Sequence, residues 1–188
     1  MTKAPLKKKR LELPTVAQFD AIVKSVRVAG SGWSKACADM VRFLAYSGAR
    51  LREGTSVQWR HVDTIKGVMT IPGSKSESSY RQIPLFPALA KLLQEMRRGR
   101  ENEPPVTPIL QVKECLVALR RACRETDVKT MTHHDLRHFI ATRCIESGVD
   151  VPTVSRWLGH SDGGALAMQT YGHLRQEHSL AAGAKVRF

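Results

Sequence analysis

Apolar residues return at helical spacing from Phe19 onward: Phe19, Ile22, Val23 and Val26 fall on one face of a helix. Pro14-Thr15-Val16-Ala17-Gln18 leads into it, with Thr15 as an N-cap and a glutamine three residues on. After the Gly30-Ser31-Gly32 break, Cys37, Met40, Val41 and Leu44 mark a second amphipathic helix that stops near Ser47-Gly48. The period then shortens. Val57 and Trp59, Val68 to Ile71, and Tyr80 to Leu85 read as short strands, with Pro72 and Pro84 at strand ends, where a missing ladder donor is tolerated. The polar run Gly73-Ser74-Lys75-Ser76-Glu77-Ser78-Ser79 then forms a hairpin loop between the second and third strands.

Helical spacing resumes at Pro87, a residue suited to a first helical turn, followed by Leu89, Leu92, Leu93 and Met96. A loop with Pro104, Pro105 and Pro108 precedes a helix carrying Val112, Leu116, Leu119 and Cys123. Thr132 caps the next helix, whose Leu136, Phe139, Ile140 and Cys144 face a core, and Val154, Trp157 and Leu158 form a short helix stopped by Gly159. Two further short helices are expected to flank Tyr171. The pattern predicts an α+β, mainly α-helical domain with a small three-stranded antiparallel sheet. Its expected extent is 14–175, between a basic leader (1–13) and a C-terminal tail (176–188).

Composition narrows the class. A chain of 188 residues with 42% hydrophobic content holds a core of its own without metal or disulfide support. No apolar run approaches the ~20 residues of a membrane span, and the opening residues are basic rather than signal-like. Cys37, Cys115, Cys123 and Cys144 form no Cys-x-x-Cys pair and read as small core residues in a reducing, intracellular compartment. Lys and Arg number 30 against 17 Asp and Glu, a net charge of +13. A compact domain with that excess repels itself, so a polyanion, nucleic acid first, is the partner to expect; the plainer alternative is charge serving solubility alone.

Several chemistries drop out. Gly-x-Ser-x-Gly and Gly-x-Gly-x-x-Gly are absent, and Gly73-Ser74-Lys75-Ser76 lacks the spacing of a phosphate-binding loop. In Thr132-His133-His134-Asp135-Leu136-Arg137-His138, His134 and His138 stand one turn apart, as two zinc ligands would, but a zincin needs glutamate where the shorter Asp135 stands. His134 and Arg137, three apart on one face, suit a phosphate better, because arginine offers a fixed fork of donors; the alternative is a solvated helix flank.

Other polar islands follow in order. Ser47-Gly48-Ala49-Arg50-Leu51-Arg52-Glu53 sets an arginine just after a small-residue turn. Leu158-Gly159-His160-Ser161 sets a histidine after a helix stop, and Gln169-Thr170-Tyr171-Gly172-His173 supplies a tyrosine. Together with Lys75 they resemble the catalytic domain of tyrosine recombinases of the phage-integrase type, from about residue 14 to 175.

The resemblance implies the family's mainly helical catalytic fold with a small sheet, and a role for each matched position. Arg50 and Arg137 correspond to the two catalytic arginines, Lys75 to the mobile lysine, His134 and His160 to the motif histidines, and Tyr171 to the nucleophile. Glu53 corresponds to an acidic position that orients the first arginine; Arg81 lies near Lys75 and competes with it in the loop alignment. His133 and His138 are expected to pack or contact phosphate beside the site. The implied reaction is site-specific recombination or integration through a 3′-phosphotyrosyl intermediate, without metal, ATP or other cofactor. Its implied partners are double-stranded DNA, a homotetramer in the synapse and accessory DNA-bending proteins.

Two departures from the family pattern stand out. The stretch from His160 to Tyr171 contains Gly163-Gly164 and is slightly longer than the common spacing. Full integrases also carry a helical core-binding domain before this region, whereas almost nothing precedes Thr15, so a truncated form is expected. Two rival readings remain: a type IB topoisomerase, which relaxes DNA as a monomer without strand exchange, and a DNA-binding fragment without catalysis, whose binding would depend steeply on salt with no cleavage.

Overall fold

The computed structural model describes residues 12–73 and 80–159. Helix α1 (Val16–Arg27) starts at the predicted cap: the Thr15 hydroxyl accepts from the Gln18 backbone N–H, and the Gln18 side chain accepts from the Thr15 N–H. Its buried stripe is Phe19, Ile22 and Val26. Helix α2 (Ser34–Ser47) packs on α1 and ends at Gly48, which takes the left-handed conformation at φ 66°. A six-residue helix, α3 (Leu51–Ser56), follows, a turn the periodicity does not reveal.

The three-stranded antiparallel sheet is present, in the order β1 (Val62–Asp63), β2 (Val68–Ile71), β3 (Arg81–Pro84). Its register pairs Met69 with Ile83 and Ile71 with Arg81. The first strand is displaced from its predicted place. Val57 and Trp59 lie in an extended stretch and a single 3-10 turn (Trp59–His61) that bond to the proline-rich loop instead of β2: Trp59 N–H donates to the Thr107 carbonyl, and Ile109 N–H to the Val57 carbonyl. The alternation there was real, but its partner is a loop.

Helix α4 (Pro87–Arg97) begins at Pro87 as expected and buries Leu89, Leu92, Leu93 and Met96. Helix α5 (Leu116–Glu125) starts later than predicted: Val112 sits in the preceding loop, packed against the core but outside the helix. Helix α6 (His133–Glu146) buries more than one face because it packs on both α2 and α7 (Val151–Leu158). Gly159 closes α7 in the left-handed conformation. The core divides in two. The larger part joins α1, α2, α4, α5, the sheet and the first half of α6; the smaller holds Ala141, Cys144 and Ile145 of α6 with Val151, Val154 and Leu158 of α7.

All four cysteines are free thiols, half-buried at Cys37 and buried elsewhere. Burial pushes the Cys115 thiol up to about 12, with the nearby Cys37 and Glu114 adding to the effect, so it stays protonated and unreactive at neutral pH. No helix among the described residues is long and apolar enough to cross a membrane.

Candidate functional site

The site is assembled where three helix ends meet. Thr132 opens α6: its hydroxyl and backbone N–H both bond to Asp135 Oδ2 at 2.7 Å. Asp135 is thereby a capping residue of α6. The cap fixes the start of the helix, with His134 in the first turn and Arg137 at the beginning of the second.

Arg137 is buried, 3% exposed. Its Nη1 donates to the Gly48 carbonyl at 2.8 Å and its Nη2 to the Leu158 carbonyl at 2.5 Å. Both acceptors sit at helix C-termini, of α2 and α7, where backbone carbonyls lack intrahelical partners and the helix dipole presents negative charge. One guanidinium therefore joins the two glycine stops that flank the polar islands at Gly48 and Gly159.

Arg50 precedes α3 and is exposed, its side chain 45% accessible. Its Nη1 donates to Glu53 Oε1 at 2.7 Å and its backbone N–H to Glu53 Oε2 at 2.9 Å. Glu53, 1% exposed, also accepts from Arg81 Nη2 at 2.9 Å. Burial alone would raise the pKa of this carboxyl. Hydrogen bonds from Arg81 and from the backbone and side chain of Arg50 outweigh it, leaving the value lowered from 4.5 to about 2.

That depression fixes a pH dependence. A carboxylate whose folded pKa lies below its unfolded one stabilises the fold above the unfolded value, and the contribution is lost as pH falls through the folded one. Unfolding by urea should therefore show a stability loss on the order of 3 kcal/mol as pH falls from about 4.5 to about 2, the window set by Glu53. Glu53→Gln should flatten the slope there, and an unchanged slope in that variant would exclude Glu53 as its source.

His134 is exposed at the helix start and stacks edge-on against His138, ring centroids 4.5 Å apart. Its pKa is lowered, first by partial burial and then by the positive charges of Arg137 and Arg50, against an opposing pull from Asp135. Partial burial and both arginines thus act in one direction on this imidazole, favouring its neutral form. His133 turns away: its Nε2 meets the Cys115 backbone N–H and thiol, each at 3.4 Å, a packing role.

A phage integrase family model matches residues 15–178. The chain belongs to the phage integrase family. Among curated relatives, a tyrosine recombinase XerC of Xanthomonas axonopodis pv. citri is 30% identical over 140 residues, covering 70% of this chain and 45% of that protein. A tyrosine recombinase XerA of Thermococcus kodakarensis is 26% identical over 157 residues, 79% of this chain and 54% of that one. The chain thus spans about half the length of these relatives. A crystal structure of XerA recombinase matches at TM-score 0.70 and 18% identity, covering 98% of this chain and 67% of that one. The catalytic domain of bacteriophage HP1 integrase matches at 0.66 and 16%, covering 92% and 95%. The integrase-type catalytic fold expected from the sequence is the fold observed.

For this phage integrase family member, the described residues bring Arg50, His134 and Arg137 together around the junction of α2, α3, α6 and α7. Lys75, His160 and Tyr171 lie outside the described residues, as do the short helices expected around Tyr171. Arg81 is not a mobile-loop residue: its side chain is 6% exposed and fixed between Glu53 and the Trp157 carbonyl. The sequence marks Gly48 only as a helix stop, but its carbonyl also receives the Arg137 guanidinium, a partner 89 residues away.

Proposed function

We propose that this chain is the catalytic domain of a tyrosine-type site-specific recombinase, cutting and rejoining double-stranded DNA through a 3′-phosphotyrosyl intermediate in the bacterial cytoplasm. The observation that carries the reading is the bond from the Arg137 guanidinium to the Gly48 carbonyl, which brings His134, one helical turn before Arg137, to the same junction as Arg50, two residues after Gly48. Two cations beside a proton acceptor suit a phosphodiester under attack by a phenol. The net charge of +13 fits a polyanionic partner, and one Tn1549 transposon integrase structure that shares the fold at TM-score 0.71 was obtained in complex with transposon right end DNA.

In this reading Tyr171 attacks the scissile phosphorus, bonding its phenolic oxygen to the 3′-phosphate while the 5′ oxygen departs. His134 accepts the phenolic proton, a task that a lowered pKa favours because the imidazole is unprotonated beforehand. Arg50, Arg137 and His160 balance charge on the non-bridging oxygens of the pentacoordinate transition state, and Lys75 protonates the departing 5′ oxygen. The phosphodiester energy is kept in the tyrosyl linkage. Strand exchange then brings a second duplex, with four protomers in the synapse and DNA-bending proteins as accessories.

The test uses a nicked, suicide-type duplex, selected for binding to this chain from a randomised pool, which traps the intermediate. The chain should give a protein–DNA adduct that survives denaturation, and Tyr171→Phe should abolish it. An equal adduct from that variant would overturn the assignment of the nucleophile. Absence of an adduct from the unaltered chain on DNA it demonstrably binds would favour a non-catalytic binder. Relaxation of supercoiled DNA by monomers without strand exchange would favour the topoisomerase reading.

A further inference from the structure

Arg81 is the first residue of β3, directly after the segment that contains Lys75, yet it is one of the least exposed cations among the described residues. Its Nη2 donates to Glu53 Oε2 at 2.9 Å and its Nε to the Trp157 carbonyl at 2.6 Å. The next carbonyl along, Leu158, is the one held by Arg137. Two arginines from distant parts of the chain thus hold adjacent carbonyls at the C-terminus of α7, and one of them also holds the carboxylate that positions Arg50.

The charges explain why two cations share Glu53. A buried carboxylate paired with Arg50 alone would draw that guanidinium inward and cancel its charge. With Arg81 present, the triad Arg50–Glu53–Arg81 carries a net positive charge. Glu53 is neutralised from the buried side of the fold, and the exposed Arg50 keeps its charge for an anionic ligand.

We propose that Arg81 is a positioning residue for strand cleavage, neutralising Glu53 so that Arg50 stays available to the scissile phosphate. The proposal rests on the recombinase reading above. It differs from a merely structural ion pair in one respect: the effect of Arg81 on the reaction runs through Glu53.

The experiment uses the full chain and the selected nicked duplex, measuring the single-turnover rate of adduct formation at saturating DNA and, separately, the dissociation constant. Arg81→Met should slow adduct formation by ~10²-fold, the scale of losing one transition-state donor, while the dissociation constant moves less than ~3-fold. Arg81→Lys should recover at least ~10-fold of that rate, because the charge returns. In a Glu53→Gln background, where no carboxylate needs neutralising, Arg81→Met should cost less than ~3-fold. Arg100→Met, which removes donations to the Ile109 and Pro108 carbonyls away from this site, controls for destabilisation and should keep the unaltered rate.

A rate for Arg81→Met within ~3-fold of the unaltered chain, or a full penalty persisting in Glu53→Gln, would overturn the proposal while leaving the recombinase reading intact. No adduct from the unaltered chain on bound DNA would overturn both.

Discussion

Arg137→Ala should reduce covalent attachment to DNA by ~10²–10³-fold, the range for removing one preorganised charge donor from a transition state. The same substitution should cost ~2–5 kcal/mol of folding stability, because it orphans two buried carbonyls at ~1–3 kcal/mol each. Those carbonyls, Gly48 and Leu158, end two helices far apart in the chain, and this guanidinium bonds to both. Arg137→Lys separates the two effects. A lysine restores a charge but offers a single ammonium where a planar fork now spans two acceptors, so it should recover part of the stability and little of the rate. Urea unfolding and single-turnover adduct formation measure the two quantities independently. Unchanged stability in Arg137→Ala would mean that water replaces the guanidinium at both carbonyls at no cost.

Gly48→Ala should be the most damaging small substitution in the described residues. The residue holds φ at 66°, where a side chain costs ~1–2 kcal/mol. An added Cβ would also lie 2.7 Å from Leu158 Cδ2 and 3.1 Å from Ile140 Cγ2. Relieving that overlap means turning the buried Leu158 side chain out of its packing or shifting α7, at a further ~1–3 kcal/mol. Gly67→Ala is the control, since Gly67 has a nearly identical φ of 67° but open space around its would-be Cβ. The difference between the two unfolding free energies isolates the packing cost. Equal destabilisation of both would show that α6 and α7 yield freely at this contact. Adduct formation by Gly48→Ala should fall as well, because any shift of the Gly48 carbonyl moves Arg137.

Much of the fold was legible because it is built from long amphipathic helices. Thr15, Thr132, Pro87 and the Gly48 and Gly159 stops marked their ends, since each carries a local chemical reason to begin or end a helix. The failures are non-local. Val57 and Trp59 alternate like a strand, yet their backbone partners lie around Pro105 to Ile109, a stretch whose prolines hide any strand signature. The true β1 has two residues, too few for alternation to register, and α3 has six, too few for a helical stripe. Within the site, Arg50, His134 and Arg137 are legible through the family motifs they match, Ser47-Gly48-Ala49-Arg50 and His134-x-x-Arg137. Arg81 is not, because Glu53 and Trp157, which define it, lie 28 and 76 residues away in sequence.

The division of the core gives α7 an energetics of its own. Its fully buried apolar residues pack in the smaller cluster with the second half of α6, with Trp157 touching both clusters, while Leu136 and Phe139 at the start of α6 belong to the larger one. Such a segment behaves as a separate foldon, opening at a lower free energy than the body it leans on. Amide protection should then step down along α6 near Ile140 and stay low through α7, with the Arg81 and Arg137 bonds to Trp157 and Leu158 as the seam that must break. A phosphate bound by Arg137 in the closed form alone would raise the opening free energy by mass action, so occupancy of the site would be written into the hydrogen-exchange rates of a helix that need never touch DNA.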